Sequence, residues 1–148
     1  MSQVKMSLSA LVVLLLTGCS FSKNIEIGEQ YVANFHLLLS KGQIDEIMLG
    51  TSAEWTEQHT KAAHNLLINV QSFFGFVISS EQVDWGAKSS FGGKSTVTLI
   101  QDTTFENGSA KETFVLEIVE GTALLYSYNI KLAPEILKLY QSSRARET

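Results

Sequence analysis

The feature that most constrains this chain is a change of period at Gly75. Before it, apolar residues recur at three- and four-residue steps; after it they alternate, and β-branched and aromatic residues take over. A 3.6-residue period buries one stripe of a helix, and a two-residue period buries one face of a strand. The chain is therefore helical in its first half and sheet in its second.

In the helical half, Tyr31, Val32, Phe35, Leu38 and Leu39 mark a helix that begins at Ile25 and stops at Gly42. Ile44, Ile47 and Met48 form a short second helix closed by Gly50. Thr51 and Glu54 have the spacing of a capping box. The stripe Trp55, Ala62, Ala63, Leu66, Leu67, Val70, Phe73 and Phe74 makes a long third helix ending at Gly75.

In the sheet half, Val83 to Phe91 is a candidate strand and Gly92-Gly93-Lys94 a turn. Thr96 to Glu106 is a second strand, with Val97, Leu99 and Phe105 on one face. Asn107-Gly108 is a hairpin signal, because both residues tolerate positive φ. Phe114, Leu116 and Ile118 alternate along a third strand, Glu120-Gly121 turns, and Leu124, Tyr126, Tyr128 and Ile130 alternate along a fourth. Pro134 fits the first turn of a terminal helix containing Ile136, Leu137 and Tyr140. Helices first and an antiparallel meander of about four strands after predict an α+β fold, with the helices packed on one sheet face.

This order of elements resembles the cystatin-like or ketosteroid-isomerase-like roll, in which a long helix packs into the concave face of a curved sheet. The residues that carry the resemblance are the helix ending Phe73-Phe74-Gly75, the Asn107-Gly108 hairpin, and the strand Leu124 to Ile130. It spans about residues 25 to 131, and small bacterial lipoproteins of unassigned function look similar. The roll hosts enzymes, binding modules and assembly domains alike, so fold alone does not assign a task.

The N-terminus is a separate unit. Met1 to Lys5 carry one positive charge, and Leu8 to Leu16 form an apolar run. A spanning helix needs roughly 20 apolar residues, and this run has about half that, so it reads as a cleaved export signal. It ends in Leu16-Thr17-Gly18-Cys19, which resembles the lipobox of bacterial lipoproteins. The resemblance implies cleavage between Gly18 and Cys19 and acyl chains on Cys19. Ser20, in place of an aspartate, implies sorting to the outer membrane facing the periplasm; in another envelope the same signal implies the outer face of the cytoplasmic membrane. Cys19 is the only cysteine, so no intramolecular disulfide can form. The chain then divides into a signal peptide (1–18), the acylated cysteine and a short tether (19–24), one α+β domain (25–141) and a polar tail (142–148). An extended tether from Ser20 to Asn24 reaches roughly 17 Å at about 3.3 to 3.6 Å per residue.

Composition narrows the chemistry. The 148 residues suit one domain, and a net charge of −4 with no basic patch argues against nucleic acid. Arg144 and Arg146 sit in a tail that reads as frayed. Gly93-Lys94-Ser95 lacks the leading glycine of a phosphate loop and precedes a strand rather than a helix. His36, His59 and His64 are the only histidines; the last two point about 140° apart on a helix, which gives no metal site. No Gly-x-Ser-x-Gly elbow is present. Asn107-Gly108-Ser109 matches a glycosylation sequon that the hairpin already explains.

Three readings follow. The first is a non-catalytic, membrane-anchored envelope lipoprotein that needs no cofactor and binds an envelope protein or an apolar ligand. The second is a ketosteroid-isomerase-like enzyme working in the cone between sheet and helix, with Tyr126 or Tyr128 stabilising an oxyanion and Asp84 or Asp102 as base. The third is a small subunit of a secretion or envelope-assembly system, or an immunity lipoprotein.

Overall fold

The computed structural model describes the backbone of residues 4–89, 94–135, 138 and 142, and side chains from Phe21 onward apart from 56–59. Three helices, α1 (Val4–Ser40), α2 (Ile44–Leu49) and α3 (Ala53–Phe74), precede four strands, β1 (Val77–Ser89), β2 (Ser95–Phe105), β3 (Gly108–Val119) and β4 (Thr122–Leu132). The strands form an antiparallel meander in the order β1-β2-β3-β4. The fold is α+β, with the helices packed on one face of the sheet.

The helix that crosses the sheet is α1, which lies against all four strands. Its stripe of Val32, Phe35 and Leu39 is buried against Leu99, Phe114 and Leu116. Close approach depends on Gly28, where an added Cβ would stand 3.1 Å from Leu99 Cδ1, 3.3 Å from Leu116 Cδ1 and 3.4 Å from Val97 Cγ1. Two further methyls there would have to displace core side chains. Gly28→Val is expected to lower stability by about 1–3 kcal/mol through overpacking, measured by urea denaturation, with Gly28→Ala close to neutral.

α1 is also longer than its apolar pattern suggests. It runs unbroken from Val4, so residues 19–24, read from sequence as the acylated cysteine and a short tether, are helical. Ser20 to Asn24 contains neither proline nor glycine to stop the helix. Gln43 N–H donates to Leu38 O at 2.9 Å and Gly42 N–H to Leu39 O at 3.0 Å, the paired bonds of a Schellman close at the other end.

α3 packs laterally. Among its described residues Ala63, Leu67, Val70 and Phe74 are buried, while Phe73 is exposed and meets Phe74 edge-on at 4.9 Å. Its N-cap is Ser52, whose Oγ accepts from Trp55 N–H at 3.3 Å. The expected Thr51–Glu54 capping box is thus displaced by one residue. Thr51 instead bridges Leu125 of β4, which ties the start of α3 to the sheet edge.

Three details of the sheet differ from the sequence expectation. β1 begins at Val77 rather than Val83, because it is an exposed edge strand whose polar run Ser79 to Gln82 shows no alternation. In the β2–β3 hairpin the turn residues are Glu106 and Asn107, with Gly108 already paired to Phe105. The left-handed pair that a two-residue type I′ hairpin requires lies instead at Glu120 (φ 49°) and Gly121 (φ 77°), between the paired Val119 and Thr122. Finally, a bulge interrupts β4: Val115 pairs with Ser127 but Leu116 pairs with Leu125, leaving Tyr126 as the extra residue. The single alternating face expected for Leu124, Tyr126, Tyr128 and Ile130 is therefore broken. Tyr128 is 6% exposed and faces the core, whereas Tyr126 is 41% exposed.

Pro134 and Glu135 are helical as expected, while Ile136, Leu137, Tyr140 and the arginines of the tail lie outside the described residues. So does the turn at Gly92-Gly93.

Candidate functional site

Strict alternation along β3 sends Ala110, Glu112, Phe114, Leu116 and Ile118 to the same buried face. That rule places a carboxylate among aromatic rings, and Glu112 is fully enclosed. A buried charge is tolerated only with partners on its oxygens, and Glu112 has three. Tyr128 OH donates to Oε1 at 2.6 Å, Thr103 Oγ1 donates to Oε2 at 2.5 Å, and His36 Nε2 lies 2.7 Å from Oε2. The partners come from β4, β2 and α1, so the cluster ties three elements of the fold together. Phe35 and Phe114 seal it, their rings 5.0 Å apart and each about as far from the Tyr128 ring.

Burial, the charge of Glu112 and the hydrogen bond to it all push the Tyr128 phenol well above its usual range. Burial alone raises Tyr31, whose hydroxyl donates to Gly50 O at 3.1 Å. Below about pH 10 both phenols keep their protons in the folded and the unfolded chain, and their contribution is fully present. Above it the unfolded chain releases protons that the folded chain retains, so stability falls as pH rises. The expected slope is up to about 1.4 kcal/mol per pH unit for each tyrosine, read from denaturation midpoints across the alkaline range. Tyr31→Phe and Tyr128→Phe should each remove one tyrosine's share.

From Thr103 the polar chain continues outward. Ser80 Oγ lies 3.0 Å from Thr103 Oγ1 and donates to Gln101 Oε1 at 3.1 Å, reaching the exposed surface of β1. Neither Glu112 nor His36 lines any of three clefts on the described surface, although Thr103 and Tyr128 each reach one. The most relevant is a cleft of about 490 Å³ between α3 and β4. Its walls include Trp55 and Leu66 on one side and Tyr126 and Tyr128 on the other, and it owes its width to the small Ala62 and Ala63. Its acid, Glu54, is held by Lys94 Nζ at 3.1 Å. Lys94 also bridges Glu117 at 3.0 Å. These two carboxylates, by hydrogen bond and charge, raise the Lys94 ammonium above its ordinary value.

The structure does not bring together the residues proposed from sequence. Asp102 is exposed on the opposite sheet face, paired to Lys111 Nζ at 2.6 Å. Asp84 is exposed on β1, its Oδ1 accepting from Trp85 N–H at 2.8 Å. Tyr126 is exposed on the wall of the α3–β4 cleft, and only Tyr128 reaches the core between α1 and the sheet. Glu112 and Thr103 were missed. The signal for both was present: Thr103 continues the Val97, Leu99, Phe105 face, and Glu112 continues the Phe114, Leu116, Ile118 face toward the N-terminus. His36 has Glu112 and His64 has Asp45, 3.0 Å away. Among the described residues no cluster of three or more His, Cys, Asp or Glu could hold a metal ion. Gly18 and Cys19 belong to α1, and their side chains fall outside the described set.

No family model matches the chain, and no curated protein or solved structure is significantly similar to it.

Proposed function

We propose that this chain is an exported lipoprotein, held at an envelope membrane by acyl chains on Cys19, whose domain binds an amphipathic ligand without transforming it. The observation that carries the binding part is the cleft between α3 and β4. Its walls present the open apolar surface of Trp55, Ala62, Ala63 and Leu66, while Glu54 is engaged by Lys94 and the Tyr128 hydroxyl by Glu112. A ligand with an apolar body therefore gains burial there, and the cleft offers no unengaged carboxylate, among the described residues, to serve as a base. The space between α1 and the sheet, where the roll's enzymes work, is filled by Phe35, Leu39, Leu99 and Phe114.

The anchor rests on Leu16-Thr17-Gly18-Cys19. Among the described residues no helix is long and apolar enough to cross a membrane, which is compatible with attachment through acyl chains. Ser20 favours the outer membrane, facing the periplasm.

Two measurements test this reading. Expressed in a Gram-negative host fed radiolabelled palmitate, the wild-type chain should take up label and Cys19→Ser should take up none; equal labelling ends the anchor. Organic extracts of the purified chain, analysed by mass spectrometry, should contain a retained amphipathic molecule that Ala62→Phe, which fills the cleft from an exposed position, no longer retains. A retained molecule that Ala62→Phe leaves in place, or none in the wild type, removes the cleft from the account.

A further inference from the structure

β1 is an edge strand of 13 residues, and its outer rim of backbone donors and acceptors has no strand beside it in the sheet. We propose that this edge pairs with the same edge of a second copy, antiparallel about a two-fold axis at Trp85, joining two four-stranded sheets into one.

The register follows from the way β1 already pairs with β2. Gln82 pairs with Gln101 and Asp84 with Ile100, so Val83 is bulged out and the alternation of β1 inverts across it. Trp85 and Ala87 consequently share a face with Gln82, toward Leu99 and Val97, while Glu81, Asp84 and Lys88 share the opposite face. Centring the pair on Trp85 and repeating the same bulge puts Trp85 beside its equivalent, Gly86 opposite Asp84, Ala87 opposite Gln82, and Lys88 opposite Glu81. Every opposed pair then lies on one face, as an antiparallel ladder requires.

Two observations select this occupant and this register. Trp85 is 55% exposed although it stands on the core-facing side beside a fully buried Leu99, so a large ring at the rim is left more than half uncovered. Glu81 and Lys88, moreover, form no ion pair among the described residues, and the proposed register brings them into opposition twice by symmetry. A register centred on Gln82 would instead oppose Glu81 to Asp84, which like charges disfavour; one centred on Gly86 would oppose Lys88 to Asp84, a carboxylate already engaged by the Trp85 N–H, and would leave Glu81 without an opposed cation. Bulges and charges also serve to keep edges unpaired. The two uses differ in what happens when the charges are exchanged.

The proposal is independent of the anchor and of the cleft. Its test is sedimentation equilibrium of the full chain in detergent. The wild type should be a dimer whose dissociation constant rises with salt. Glu81→Lys and Lys88→Glu should each weaken it by about tenfold or more, and the double variant should return to within about threefold of wild type. A wild-type monomer, or a double variant no better than the singles, overturns the proposal and leaves these charges as edge protection. Trp85→Cys supplies a second reading: mild oxidation of the dimer should link the two copies at this position, and failure to link while the dimer persists moves the interface elsewhere.

Discussion

Replacing Glu112 with alanine should destabilise the domain by about 3–5 kcal/mol, because it removes the one acceptor shared by three buried donors. The Tyr128 hydroxyl and the His36 Nε2 would remain enclosed without that acceptor, and Thr103 would keep only Ser80 Oγ. Glu112→Gln keeps the volume but turns one acceptor into a donor facing another donor, so it should recover only part of the loss. The decisive measurement is a double-mutant cycle by chemical denaturation. Tyr128→Phe alone should cost about 1–2 kcal/mol, and the loss on combining it with Glu112→Ala should fall short of the sum by about 1 kcal/mol or more. Additive losses would mean that the two groups do not act together.

The second large effect concerns which helix holds the sheet. Phe35→Ala should cost about 3–5 kcal/mol, since its ring is enclosed and packs on Phe114 and Tyr128. Leu37→Ala, two residues away on the exposed side of the same helix, should change stability by less than about 0.5 kcal/mol. A comparable loss at both positions would contradict the orientation of α1 on the sheet.

The helix-then-meander order was legible because it rests on periodicity, which survives in sequence wherever an element has one buried side. It faded where that condition fails. β1 has no strand on its outer rim and most of it is exposed, so Val77 to Gln82 carries little alternation to read. The β4 bulge left no trace either: one extra residue reverses the inward side, and Tyr126 and Tyr128 retain the two-residue spacing of a shared face while pointing differently. α3 has the longest apolar stripe in the sequence. The sheet is instead crossed by α1, where Gly28 allows the backbone to come close, a property that apolar periodicity does not encode.

The site was legible only in part. A tyrosine and a carboxylate were expected near one another inside the fold, and Tyr128 was half of that pair. Its partner is Glu112 rather than Asp84 or Asp102, because Asp102 belongs to the opposite face of β2 and Asp84 to the opposite face of β1. Filling the gap between Leu99 and Phe105 in the inward set of β2, and extending that of β3 by two residues toward its start, would have brought Thr103 and Glu112 forward.

The unbroken course of α1 has a mechanical consequence. Nine helical steps lead from Cys19 to Gly28, about 13.5 Å of stiff rod at 1.5 Å per residue. With acyl chains on Cys19, the attachment point and the hydrophobic core would belong to one rigid body with no swivel between them. Rotation of the rod about its axis would turn the sheet with it, and a pull on the lipid would load the seam of Val32, Phe35 and Leu39 in shear. The attitude of the domain toward the bilayer would be set by its own packing and not by the slack of a linker.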